Sequence, residues 1–243
     1  FADPGLTVCN GSSGSVNAIG ATTYSWSPAT GLLSTTGSSV TASPTVTTTY
    51  TVTGTDGNGC SSTSTETVTV NPTPVISGGS DVAICSGLTS GLTASGGTTY
   101  TWSPGTGLSA TTGASVTAGP TSTIQYTVTG TNSYGCISTG AVTVTVNALP
   151  TVSGGSDVGV CNGSSTGLTA TGASTYTWSP ATDLSATTGS GVTASPTTPI
   201  TYTVTGTDGN GCVNTAQVLV SVNALPSIAS ISNDGPLCTG NTL

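Results

Sequence analysis

The 243-residue chain contains no Lys, Arg, His or Met, and its only charges are 8 Asp plus Glu. Without Lys or Arg there is no cationic groove for phosphates, which argues against nucleic-acid binding. The polybasic route to anionic membranes is closed for the same reason. Trypsin has no site, and isopeptide cross-links through Lys are impossible. Without His there is no group poised near neutral pH for general acid-base work. Neither a Ser-His-Asp nor a Cys-His nucleophile can be assembled, and a Lys Schiff base is excluded. Zinc and copper sites that need imidazole are excluded as well. No apolar run approaches the ~18 residues of a membrane helix, so no direct membrane insertion is expected. Phe1-Ala2-Asp3-Pro4 shows no signal-peptide pattern. The expectation is a non-enzymatic chain with no cofactor.

What is present is apolar and hydroxylic. Only 3% of residues are charged, 34% are apolar, and the chain carries 35 Gly and 13 Pro. Low charge with this apolar content is the composition of a folded chain rather than a disordered one.

The sequence repeats. Tyr-Ser/Thr-Trp-Ser-Pro occurs at Tyr24, Tyr100 and Tyr176, and Trp26, Trp102 and Trp178 are spaced by 76. A second landmark around Tyr50, Tyr126 and Tyr202 has the same 76-residue spacing. Val-Asn closes each copy at Asn71, Asn147 and Asn223, with Pro72, Pro74, Pro150 and Pro226 at the joints. The expected boundaries are 1–72, 73–148, 149–224, and a fourth copy begun at 225–243. A chain that stops inside a copy points to a longer repetitive array.

Each copy reads as all-β. Tyr24 and Trp26 alternate with Thr23 and Ser25, and Val68 and Val70 alternate with Thr67 and Thr69. Period two with β-branched outer residues marks half-buried strands. Asp56–Gly59 and Asp208–Gly211 are turn signals. In the second copy the pattern predicts strands at Val75–Ser77, Asp81–Cys85, Gly91–Ala94, Thr98–Ser103, Ala114–Ala118, Gln125–Thr131 and Ala141–Val146. Seven short strands in 76 residues predict an immunoglobulin-like β-sandwich, repeated as an extended array. A parallel β-helix would need a shorter period.

The seven cysteines are Cys9, Cys60, Cys85, Cys136, Cys161, Cys212 and Cys238. One pairing stays inside each copy: Cys9–Cys60, Cys85–Cys136 and Cys161–Cys212, with Cys238 unpaired. The rival stitches neighbours: Cys60–Cys85, Cys136–Cys161 and Cys212–Cys238. Spacing does not decide between them. In-copy pairing is favoured because a small sandwich gains from a staple, about 4 kcal/mol for a loop of ~52 residues. Paired cysteines imply an oxidising, extracellular setting.

Trp26, Trp102 and Trp178, with Tyr50, Tyr126 and Tyr202, read as core residues, sandwiches commonly burying a Trp on the third strand. Sugar-stacking platforms are the alternative for the three Trp. Asp56, Asp81, Asp157 and Asp208 are candidate calcium ligands. Turn geometry accounts for them better, since each turn offers one carboxylate and the second copy has Asn132 there. Asn10-Gly-Ser and Asn162-Gly-Ser are formal glycosylation sequons. A flat ice-binding Thr face is disfavoured by sheet twist.

Three strings carry a resemblance: Ile-Cys-x-Gly-x-x-x-x-Leu-Thr-Ala at Ile84–Ala94, Tyr-Thr-Trp-Ser-Pro-x-Thr-Gly-Leu-Ser at Tyr100–Ser109, and Tyr-Thr-Val-Thr-Gly-Thr-Asp-Gly-Asn-Gly-Cys at Tyr202–Cys212. They resemble the Ig-like and PKD-like repeats of large Bacteroidota surface proteins, including SprB-type gliding adhesins and other type IX secretion cargo. The resemblance implies a stalk or filament on the cell surface. Its partners would be neighbouring repeats, surface polysaccharide, or other copies in a filament. Asp183 departs from the Gly at Gly31 and Gly107, and Tyr134 from the Asn at Asn58 and Asn210.

Overall fold

Alternating Thr and Ser on one side and Val, Tyr and Trp on the other suit a pleated chain with one dry face. The computed structural model describes residues 5–229, and every regular element in them is a strand. The chain forms two compact units, Phe1–Val146 and Asn147–Leu243.

The first unit holds two copies of one topology. In the first copy, β1 (Thr7–Cys9), β3 (Thr23–Ser27), β5 (Thr48–Thr55) and β6 (Ser61–Asn71) form a sheet in the order β1-β6-β5-β3. Facing it is a pair, β2 (Gly14–Asn17) and β4 (Ser39–Ala42). The second copy repeats this with β7 (Val82–Cys85), β8 (Ser90–Thr93), β9 (Thr99–Ser103), β10 (Ser115–Ala118), β11 (Ile124–Thr131) and β12 (Ile137–Asn147). Its sheets are β7-β12-β11-β9 and β10-β8. The second unit has β13 (Val158–Cys161), β14 (Thr166–Thr169), β15 (Thr175–Ser179), β16 (Gly191–Ala194), β17 (Ile200–Thr207) and β18 (Val213–Asn223), in sheets β13-β18-β17-β15 and β14-β16.

This is a tandem immunoglobulin-like β-sandwich. Two expected strands of the second copy differ by more than one residue. The last strand of the second copy starts at Ile137 instead of Ala141, because its pairing with β11 continues to Thr131. The expected strand at Val75–Ser77 shrinks to one bridge, Ser77 to Ser95.

Each sandwich has its own core. Trp26, Trp102 and Trp178 are 3–4% exposed and stand opposite Val52, Val128 and Val204 across the sheet. Each indole Nε1 donates to a carbonyl, of Gly37, Gly113 and Gly189 respectively. Tyr50, Tyr126 and Tyr202 are fully buried, and their hydroxyls donate to the carbonyls of Thr30, Thr106 and Thr182 at 2.7, 2.6 and 2.9 Å. These bonds tie a loop 20 residues upstream to the sheet.

Position 183 shows a local conflict. Gly31 and Gly107 take φ of 76° and 73° there, and Asp183 takes φ of 58°. All three carbonyls accept the same cross-loop bond, from Ser43, Gly119 and Ser195. A left-handed conformation costs a side chain roughly 1 kcal/mol, least for Asn and Asp. Asp183→Gly is therefore expected to raise the stability of its sandwich by roughly 0.5–1 kcal/mol in urea unfolding.

Burial raises the Tyr50, Tyr126 and Tyr202 hydroxyls above their ordinary value of 10.0; the nearby Asp183 carboxylate raises Tyr202 further. Below that value both folded and unfolded forms hold the proton, and the stability contribution is complete. As pH rises past it the unfolded chain ionises first, so stability falls until the folded hydroxyls titrate. Tyr126→Phe is expected to cost about 1–2 kcal/mol at pH 7, the Thr106 carbonyl losing its donor. It should also flatten the decline above pH ~10, as urea unfolding at successive pH values would show.

Candidate functional site

The joint between the first two sandwiches gathers the residues that do more than fill a core. β1 runs parallel to the end of β6, with Thr7 opposite Thr69, Val8 opposite Val70 and Cys9 opposite Asn71. Cys9 therefore sits at the pole where the chain leaves the first sandwich. Cys60 precedes the first residue of β6, a strand of 11 residues. At ~3.3 Å per residue it lies on the order of 35 Å away, at the opposite pole. A disulfide needs Cα atoms within ~7 Å.

The expected Cys9–Cys60 pairing is thus excluded by strand direction. Cys9 instead bonds Cys136 of the next sandwich, with S–S 1.97 Å and Cα–Cα 5.6 Å. Cys85–Cys136 fails because Cys136 is taken. Cys161–Cys212 fails because Cys161 ends β13 opposite Asn223, the last residue of β18, while Cys212 precedes its first. Cys60 and Cys161 are free, exposed thiols. The rival pairings Cys60–Cys85 and Cys136–Cys161 fail with them. Cys85 and Cys212 are disulfide-bonded too, and occupy the same repeat positions as Cys9 and Cys136. Cys238 lies outside the described residues.

Cys136 is held by the turn between β11 and β12. The Asn132 side-chain oxygen accepts from the N–H groups of Tyr134 and Cys136, each at 3.0 Å. Its amide nitrogen donates to the carbonyl of Pro72 in the joint at 2.8 Å. Asp56 and Asp208 reproduce the acceptor half, receiving Asn58 and Cys60, and Asn210 and Cys212. A carboxylate cannot supply the donor half. The change from Asp to Asn thus adds a second bond between turn and joint.

The joint also inserts a side chain into the sandwich that comes after it. Ile76 is 8% exposed and joins the core of the second copy. It lies over Gly130, Gly97 and Tyr100, and a Cβ on Gly130 would collide with its Cδ1. In the second unit Val152 occupies the same place, over Gly206 and Ala173. These glycines are small because the joint needs the space.

The remaining candidates have structural partners. Asp81 and Asp157 accept from the N–H groups of Thr143 and Leu219, each at 2.7 Å. Among the described residues no three His, Cys, Asp or Glu come together. The indole faces of the three Trp are inside the sandwiches, so no sugar platform is formed from them. Asn10 and Asn162 are exposed, each just after a first strand.

No known family matches the chain, and no curated protein matches it. Solved structures do. The titin I67–I69 fragment is 10% identical over 90% of this chain and 96% of its own, with TM-score 0.44. The insect immune protein hemolin is 14% identical over 92% and 75%, with TM-score 0.34. Sidekick-1 domains 1–4 are 14% identical over 90% and 73%, with TM-score 0.33. The assignment of architecture rests on the strand pairing.

Non-reducing peptide mapping with a protease that cuts at aromatic residues is expected to recover Cys9 linked to Cys136 and no Cys9–Cys60 peptide. Gly130→Val is expected to destabilise the second sandwich by about 1–3 kcal/mol through overpacking against Ile76, read by urea unfolding.

Proposed function

We propose that the chain is a non-enzymatic structural segment of a large extracellular repetitive adhesin, a stalk that projects from a bacterial cell surface for attachment or gliding. Its repeats are taken as 1–72, 73–148 and 149–224, with a fourth begun at 225–243. The resemblance of the Trp-Ser-Pro and Cys-x-Gly strings to Bacteroidota surface repeats motivates the bacterial and type IX secretion setting. The disulfides favour an oxidising, extracellular location.

The observation that carries this reading is the Cys9–Cys136 bond across the joint. A bond within a sandwich would protect that sandwich alone. A bond between neighbours puts 127 residues of sequence separation in parallel with one covalent link, so tension passes through sulfur and bypasses the fold. Strand order adds to this. In the third sandwich, outside the bypassed segment, β13 and β18 are parallel neighbours, so pulling the entering and leaving chain apart loads their hydrogen bonds in shear, all together. The absence of Lys and Arg suits exposure to trypsin-like proteases.

The test is single-molecule extension from the two ends. The oxidised chain is expected to detach at a contour length shorter than the fully reduced chain by at least roughly 400 Å, the reach of the bypassed residues. Equal lengths in both states would remove the mechanical reading.

A further inference from the structure

The chain passes from the first sandwich to the second without slack. Asn71 is the last residue of β6, and its carbonyl accepts from the Asn10 N–H at 2.8 Å, so it belongs to the first sandwich. Pro72 already belongs to the second, its carbonyl accepting from the Asn132 amide at 2.8 Å. Ile76 follows in the second core, and Ser77 bridges Ser95. The Val75 carbonyl lies close over Gly96 and the Ile76 carbonyl close over Gly140, so this segment is packed on the second sandwich.

The boundary therefore falls between two consecutive carbonyls, each clamped to a different sandwich. The torsions between them are few. The Asn71–Pro72 peptide is planar and does not turn. The pyrrolidine ring fixes φ of Pro72. What remains is the Cα–C bond of Pro72. Turning it swings one sandwich against the other and leaves both clamping hydrogen bonds intact. The two apolar cores share no residue. The Cys9–Cys136 disulfide is the second covalent tie across this boundary. Cys9 stands opposite Asn71, and the Cys136 N–H is bonded to Asn132. The disulfide thus closes a ring through Cys9, Asn71, Pro72, Asn132 and Cys136, with the soft torsion inside it.

We infer that the Cα–C bond of Pro72 is a single-axis hinge, locked by the Cys9–Cys136 disulfide and released by thiol–disulfide exchange at Cys9. This rests on the stalk reading and adds its regulation: a stalk rigid at this joint when oxidised and articulated when reduced. Cys136 is fully buried and Cys9 half-buried, so a thiolate reaches the Cys9 sulfur. The reductant is a small dithiol. One of its thiolates attacks the Cys9 sulfur, the Cys9–Cys136 bond breaks, and Cys136 leaves as thiolate. The second thiolate attacks the reductant's sulfur in the mixed disulfide, closing a cyclic disulfide and expelling the Cys9 thiolate. The two protons lost by the dithiol go to Cys9 and Cys136, so two protein thiols are gained and the dithiol is oxidised by two electrons. Asn132 keeps the swing to one axis. An Asp there would hold the turn, as Asp56 and Asp208 do, and release the Pro72 carbonyl.

The test measures amide residual dipolar couplings in the whole chain, fitted for the first and second sandwiches separately. Couplings average over the microsecond-to-millisecond swings of a hinge. In the oxidised chain a common alignment tensor is expected to fit both sandwiches. Cys9→Ser/Cys136→Ser should need two tensors, the alignment of the first sandwich falling by roughly a third relative to the second. Asn132→Asp should leave the common tensor in the oxidised chain and lower the alignment further in the double variant. Couplings that still fit each sandwich's own coordinates report that both stay folded. Glutathione, a monothiol that halts at the mixed disulfide, should be found on Cys9 by peptide mapping. Separate tensors in the oxidised chain, a common tensor in the double variant, or glutathione on Cys136 would each overturn the inference. Equal contour lengths in the force test would remove the stalk reading and leave these couplings as they are.

Discussion

The direction of the first strand decides where each sandwich can be joined to another. Because β1 lies parallel to β6, the cysteine at its end is carried to the exit pole of the sandwich, beside Asn71. The second cysteine, just before β6, is left at the entry pole. Had the first strand run antiparallel, the two sulfurs of one copy would have shared a pole and the joint would have had none. Parallel pairing gives each sandwich one thiol per pole, and at the joint between the first two sandwiches an exit pole meets an entry pole. From this comes the covalent joint between Cys9 and Cys136.

A second constraint comes from the missing cations. With no Lys, Arg or His, every buried acceptor and every carboxylate must find an N–H or O–H elsewhere. The backbone provides most of them. Asp56, Asp81, Asp157 and Asp208 each accept backbone N–H groups, and Tyr50, Tyr126, Tyr202 and the three Trp donate to backbone carbonyls. Among the described residues no buried side-chain N or O lacks a partner. Such bonds fix loops to sheets with few options for movement, and they depend little on salt because no ion pair is involved.

Much of this was legible in the sequence. The 76-residue period, the strand positions around Trp102 and Tyr126, and the buried side of each strand come from local alternation, which the structure keeps. The disulfide pairing was not legible, since it depends on whether β1 runs parallel or antiparallel to β6, and alternation is the same in both cases. Nor was the role of Asn132. Its turn-forming oxygen matches Asp56 and Asp208, and only the position of the Pro72 carbonyl reveals why a nitrogen is useful. The smallness of Gly130 was likewise visible, but its cause, Ile76 arriving from outside the repeat, is a tertiary contact.

The joint also explains why a sandwich of this size is not self-sufficient. A small domain buries a modest share of its surface, and each added apolar side chain counts. Ile76 and Val152 belong by sequence to the segment between sandwiches, yet each completes the core of the sandwich after it. Fully burying such a side chain contributes about 1.5–3 kcal/mol. Stability is thus coupled to connection: the second and third sandwiches each take an apolar side chain from the segment that leads into them. At the joint between the first two sandwiches the same pole carries Cys136, bonded to Cys9, so the apolar contact of Ile76 and the covalent link favour the same arrangement.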